Sequence, residues 1–466
     1  MMRKDCMVLP RHGFVFAFAL IVLFLFTCGL LSGCSGSEKK EPLLGERIPL
    51  LTNVSDPAVS NLSDSSQADT NTKTSVILPD PWRNESWPQR GGYASHVMGH
   101  LALNRTVSQS PLRRMWQSSI GRGSTPALPL TASPVSAHGL IFTLDTQGQV
   151  SAFDLETGRV RWRMTSIRPE GERGAVLGGG LAYGEGRLYV AGGYNEIIAL
   201  NWETGAVLWR ASLPSAVRAA PTIDKGQVYV MTLDNRVMAL SAERGAILWE
   251  QSALQESTGL IGAASPAVMG SMVFAAFSSG EIYALRAENG SVLWSDSLSS
   301  LRRGGALASL SDITAFPVVD EQAVYVLSYG DRMVALDLRS GERLWMRDMG
   351  GTQTPWLVGN TLFVLNNTQD LHAIDRQNGG VIWTTRLSTD TTQRARSPAT
   401  FRITRPVLAG GVLWVGTTQS TLLGIDPKTG EILHTLSTGN SISLPPLVVR
   451  GALVLLTDQG ALQVWE

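Results

Sequence analysis

Cysteine is almost missing from this chain. The three present, Cys6, Cys28 and Cys34, all fall within the first 34 residues. The rest of the chain therefore has no disulfide, whatever its compartment would permit. An excess of one charge is also missing. Thirty-nine basic residues balance 39 acidic ones to a formal net charge of zero, which argues against a general nucleic-acid binder. No helical period of useful length runs through the bulk of the chain. No Ser/His/Asp arrangement stands out. "GERGAVLGGG" (171–180) is rich in glycine but has no Walker pattern and opens no helix, so it is not a phosphate cradle. His96 and His100 have a spacing that could hold a metal on a helix. Their segment, "GGYASHVMGHL", contains three glycines and no third ligand, so a structural role is expected. No catalytic residue, metal or cofactor is expected.

What is present is a repeated phrase. "IIALNWETGAVLW" ends at Trp209 and "MVALDLRSGERLW" ends at Trp345. Seven such phrases occur, with Gly158, Gly205, Gly245, Gly290, Gly341, Gly379 and Gly430 at one slot. Four residues later comes Trp in six copies and His434 in the seventh. Successive slots lie 47, 40, 45, 51, 38 and 51 residues apart, a period that means a solenoid or a propeller. Each phrase is two short apolar, β-rich runs joined by a polar turn that ends in Gly, which is the pattern of a β-hairpin. Asp at the turn entrance (Asp154, Asp337, Asp375, Asp426) can accept backbone N–H groups. A second pair of strands precedes each hairpin, as in "AAPTI" and "QVYVMT". Four antiparallel strands per repeat make a propeller blade. The recurrent Trp is expected to pack between neighbouring blades.

The seven phrases do not use up the strands. After His434 come "LPPLVV", "ALVLLT" and "ALQVWE", three strands without a fourth. Before the first blade stands "PLRRMWQSSI", whose Trp116 lies one repeat period ahead of Trp162. This lone strand is expected to complete the last blade and remove its open edge. The fold class expected is all-β: an eight-bladed propeller over residues 110–466, preceded by a lead-in segment at 85–109. About 350 residues are ample for such a core.

The beginning of the chain has another character. Arg3, Lys4 and Arg11 precede the apolar run "FVFAFALIVLFLF" and then "LLSGC". Residues 1–33 are expected to be a lipoprotein signal peptide and Cys34 the lipidated residue. Residues 34–84, rich in Ser, Thr, Asn, Asp and Pro, are expected to form a disordered tether. Fifty such residues reach roughly 40 Å on average. Ser35 follows Cys34. The lipoprotein families that this pattern resembles use Asp there as an inner-membrane retention signal, so an outer-membrane, periplasmic location is implied.

The repeat resembles the propellers of quinoprotein (PQQ-dependent) dehydrogenases, which makes such an enzyme the alternative reading. Those enzymes need a Ca²⁺ site of carboxylate and amide oxygens, a general-base Asp and commonly adjacent cysteines. The propeller here has no cysteine, and its carboxylates do not cluster outside the turns. Signal, tether and stand-alone eight-bladed ring together resemble the BamB family of outer-membrane β-barrel assembly lipoproteins. The likeness covers about residues 85–466. It is sharpest in "LSDITAFPVVDEQAVYVLSYGDRMVALDLRSGERLWMRDMG", and "WPQRGGYASHVMGHL" is similar to the domain start in some members.

This resemblance implies a non-catalytic subunit of the barrel-assembly (BAM) complex. It implies docking to a POTRA domain of BamA beside other subunits, with unfolded outer-membrane clients as further possible partners and a membrane link through the lipid. The family's contact loops match "STGLIGAASP" and "LASLSDITAFP". Leu260 and Asp312 fall on contact positions. Ile261 stands where the family has Arg, and Thr314 where it has a second Asp. Arg302 and Arg303 could supply the displaced charge. Leu260 and Asp312 are expected at the loop surface, with Asp312 facing a basic residue of the partner.

Overall fold

The computed structural model describes residues 75–105, 112–165, 167, 178–255, 260, 262–299, 312–387 and 401–466. Within them the chain forms eight four-stranded antiparallel sheets, each in the order first, second, third, fourth strand. Blade one consists of Val135–Ala137, Leu140–Leu144, Val150–Asp154 and Val160–Met164. Six further blades follow the same plan. The eighth takes Leu447–Val449, Ala452–Leu456 and Ala461–Trp465 from the end of the chain and Arg114–Ser119 as its fourth strand. That strand pairs with Ala461–Trp465, with Trp116 opposite Val464 and Ser118 opposite Leu462. The expected closure of the ring is therefore present.

Burial explains the strand compositions. Second and third strands are packed on both faces by neighbouring blades, so they read as apolar runs such as "ALVLL". Fourth strands lie at the rim and alternate, as "VLWRAS" does. The turn aspartates act as expected. Asp337 Oδ1 accepts from the Arg339 and Ser340 amides at 3.0 and 2.8 Å, and Asp426 Oδ1 from Lys428 at 2.7 Å.

The repeated Trp joins each blade to the next. Trp162 Nε1–H donates to the Trp202 carbonyl oxygen at 2.9 Å, Trp249 to Ala287 at 2.8 Å and Trp345 to Arg376 at 2.8 Å. Each acceptor sits in the following blade's hairpin turn. The Gly of that turn has a positive φ, 71° at Gly245, and lies directly beneath the incoming ring. A Cβ at Gly245 would come 2.7 Å from Trp209 Cε3 and Cζ3. The glycine thus meets two demands, backbone conformation and close approach of the indole. His434 fills the slot that faces blade eight. Blade eight is assembled from distant stretches and has no hairpin between its third and fourth strands, so an indole there would lack its usual acceptor. His434 instead stacks on Trp414 of its own blade, 6.0 Å between centroids and 13° between planes.

Residues 75–104 do more than lead in. They lie across the ring and bond to the inner strand region of every blade in turn. Trp87 exchanges both backbone bonds with Ser136 of blade one at 2.8 Å. The Pro88 oxygen accepts from Tyr183 of blade two, and the Gln89 amide side chain pairs with the Ile223 backbone of blade three. The Ala94 and Ser95 oxygens accept from Val268 and Val319 of blades four and five. The Gly99 oxygen accepts from Trp356 of blade six, while Leu101 bonds Leu408 and Gly410 of blade seven. Asn84 completes the circuit at Val448 and Arg450 of blade eight. Buried Trp87, Met98 and Leu101 anchor this plug.

The plug includes residues expected in the tether. Val76 is buried, and the Ile77 amide donates to Asn360 Oδ1 at 3.0 Å, so ordered packing begins before residue 85. The two histidines are structural. His96 Nδ1 lies 2.8 Å from the Pro317 oxygen. His100 Nδ1 lies 2.7 Å from the Pro79 oxygen, and its Nε2 accepts from the Gly411 amide.

Candidate functional site

The plug occupies the face where first and second strands turn. The loops that carry the chain from a rim strand to the next inner strand emerge on the opposite face. Leu260 lies in the loop before blade four and Asp312 in the loop before blade five. The fold brings them into direct contact although they stand 52 positions apart in the chain. The Leu260 amide donates to Asp312 Oδ2 at 2.6 Å. From the other side, Arg218 Nη2, in the loop before blade three, donates to the Leu260 oxygen at 2.6 Å. One peptide residue is thus gripped at both backbone polar groups by opposite charges, while its apolar side chain remains half-buried.

This changes the expected role of Asp312. It is only 2 % exposed, not a surface charge facing a partner. Burial raises its carboxyl above the ordinary carboxylate range. The Leu260 N–H and the Arg218 charge pull it part of the way back. Its backbone is fixed too, since its oxygen accepts from the Tyr329 amide at 2.9 Å. Asp312 positions Leu260. Thr314 has a buried hydroxyl without a hydrogen-bond partner. Ile261, Arg302, Arg303 and Cys34 lie outside the described residues.

Sequence reading missed Arg218, because its loop carries no shared phrase. It also missed two exposed leucines on this face. Leu233, in a turn of blade three, is 52 % exposed, and Leu254, after the last strand of that blade, is 66 % exposed. Asn235 ties them together: its Nδ2 donates to the Leu254 oxygen at 2.6 Å. Large exposed apolar side chains on the same face as half-buried Leu260 give that face the composition of a docking surface. Among the described residues, no three His, Cys, Asp or Glu side chains come close enough to hold a metal ion.

Comparison with known proteins agrees with this architecture. The family described as outer membrane protein assembly factor BamB matches residues 112–172 and 146–385. The BamB of Xanthomonas campestris pv. campestris is 30% identical over 352 residues, covering 74% of this chain and 84% of that protein. The BamB of Escherichia coli K12 is 28% identical over 349 residues, covering 74% and 86%. Among solved structures, BamB from Moraxella catarrhalis superposes with a TM-score of 0.66 at 19% identity over 76% of this chain and 99% of that one. Quinohemoprotein alcohol dehydrogenase from Comamonas testosteroni reaches 0.64 at 13% identity over 82% and 81%. The structural likenesses speak for the ring alone. Sequence along the greater part of the propeller decides membership: the chain belongs to the BamB family of outer membrane protein assembly factors.

Proposed function

We propose that this protein is a non-catalytic scaffold of the outer-membrane β-barrel assembly machinery. In this reading a lipid on Cys34 anchors it to the periplasmic face of the outer membrane, and it docks to a POTRA domain of BamA. The observation that carries the docking is the Leu260 peptide, held by Arg218 and Asp312 on the face that the plug leaves uncovered. A rigid presentation lowers the conformational entropy lost when a partner binds. Leu260, Leu233 and Leu254 supply apolar area, and the energy of such a patch concentrates in a few residues of this kind. Extended clients would meet a different surface, the exposed outer edges of the rim strands, where strand addition is the natural mode.

The experiment is co-purification of BamA from solubilised membranes. Leu260→Arg would put an unpaired charge in the patch without touching the ring core. BamA recovery is expected to fall at least tenfold with the melting temperature unchanged. Glu156→Arg, an exposed turn residue of blade one on the plug face, is expected to keep normal recovery. Equal recovery with Leu260→Arg and Glu156→Arg would remove this docking surface from consideration.

A further inference from the structure

Beneath the plug, basic side chains gather near the ring axis, with no acid among the described residues of the cluster. Arg405 precedes the inner strand of blade seven and Phe316 that of blade five, while Arg90 and His96 come from the plug. The Arg90 Cζ lies 4.6 Å from the centre of the Phe316 ring, and the Arg405 Cζ lies 5.9 Å from it. The His96 ring stands 5.1 Å from the same ring. Arg405 is 5 % exposed, and its Nε–H has no hydrogen-bond partner. His96 uses Nδ1 on the Pro317 oxygen, and its buried Nε2 is also without a partner. Among the described residues, no Asp or Glu forms an ion pair with either arginine.

Such an arrangement cannot relax by proton loss. Burial lowers Arg90 to about 10. Burial and the nearby Arg90 lower Arg405 to about 9. Both remain cationic at neutral pH. His96 is pushed down to about 4 by burial and by the two arginines, against the pull of its Pro317 bond, so it stays neutral and brings no counter-charge. Arg405 is a buried cation and Arg90 a part-buried one, and among the described residues no anion offsets the cost of their desolvation.

We propose that this cluster is a binding site for a small carboxylate, held by the guanidinium groups of Arg90 and Arg405 with the Phe316 ring as its apolar wall. A guanidinium fork matches the two oxygens of a carboxylate, which chloride cannot reproduce. The ring contributes an apolar face beside the charged groups, the combination expected of a small-molecule site. The proposal does not depend on the docking reading, because neither Arg90 nor Arg405 takes part in the grip on Leu260.

The test uses the full chain in chloride buffer at fixed ionic strength. Sodium acetate, chloride or phosphate is then exchanged in, and melting and isothermal titration calorimetry are followed. Acetate is expected to raise the wild-type melting temperature saturably and beyond the equal chloride control. Arg405→Met replaces an uncompensated charge with an apolar chain of similar length, so without acetate it is expected to melt at or above wild type. In acetate it falls behind, and the two curves cross. Arg90→Gln, on the plug, keeps the ring strands untouched and is expected to weaken acetate binding by about tenfold or more, the loss of one charged hydrogen bond. Two results overturn the proposal: an acetate effect no larger than chloride's, or one that survives both substitutions. A saturable rise with phosphate alone overturns the assignment to carboxylates.

Discussion

Asp312→Asn and Asp312→Ala separate two roles that one residue could play. In the structure the carboxylate touches the Leu260 amide at 2.6 Å and is 2 % exposed. If its task is to hold that amide, asparagine can continue it, because Oδ1 still accepts. What is lost is the charge on the hydrogen bond, about 1 kcal/mol or less. Alanine removes the acceptor altogether. A hydrogen bond to a charged group is worth about 1.5–3 kcal/mol. Leu260 is only half-buried, so its freed amide can regain water when the loop opens, and the lower end of that range applies. Arg218→Ala removes the grip on the Leu260 oxygen, a half-buried charge, at about 1 kcal/mol. Both hold a single residue, so losing one hold reduces the value of the other. The double substitution is expected to cost less than the sum by about 0.5–1 kcal/mol. Urea unfolding followed by tryptophan fluorescence reads the stabilities, and hydrogen exchange at the Leu260 amide reads the loop. BamA co-purification is expected to survive Asp312→Asn and to drop sharply with Asp312→Ala. If Asp312→Asn abolishes recovery as fully as Asp312→Ala while remaining nearly as stable as wild type, the charge itself meets the partner and the positioning argument is wrong.

Four further outcomes are expected. Gly245→Ala sets a methyl 2.7 Å from the Trp209 ring at a φ of 71°, and calorimetry should record a loss of about 2–4 kcal/mol from overpacking and backbone strain together. Deleting residues 112–119 strips the fourth strand from blade eight with the Trp116-to-Leu155 bond of 2.9 Å. It should cost well over about 3 kcal/mol, whereas deleting residues 36–70 should leave the melting temperature unchanged; equal effects would contradict closure by this strand. His96 titrates near 4 when folded and near 6.5 when unfolded. Between those values only the unfolded chain takes up the proton, so stability falls as pH drops from about 6.5 to 4, by about 3 kcal/mol. His96→Asn, which tolerates the φ of 62° there, should flatten that part of the profile. Cys34→Ala should abolish labelling with palmitate and release the protein from the membrane fraction, since stable anchoring needs more than one acyl chain; retained labelling would rule out Cys34 as the lipid site.

Much of the ring was legible in the chain. Strand period, turn aspartates and the Gly-to-Trp spacing are properties of a few adjacent residues, where allowed φ and ψ and face alternation act directly. Repetition multiplies these local rules. The leftover strands around Trp116 and "ALQVWE" require closure, because an open blade edge is costly. Even the His434 exception follows once blade eight is known to lack a hairpin. The plug was not legible. Residues 75–104 carry no period, and their bonds to eight inner strands are mostly backbone bonds, which leave little mark on side-chain choice. The grip on Leu260 joins positions 218, 260 and 312, and the axial cluster joins 90, 96, 316 and 405. Each set is assembled only when the ring closes and places the ends of separate inner strands side by side. The identity of Asp312 could be read from the sequence. Whether it faced water or another loop depended on three loops meeting at one face, and that was decided by the tertiary structure.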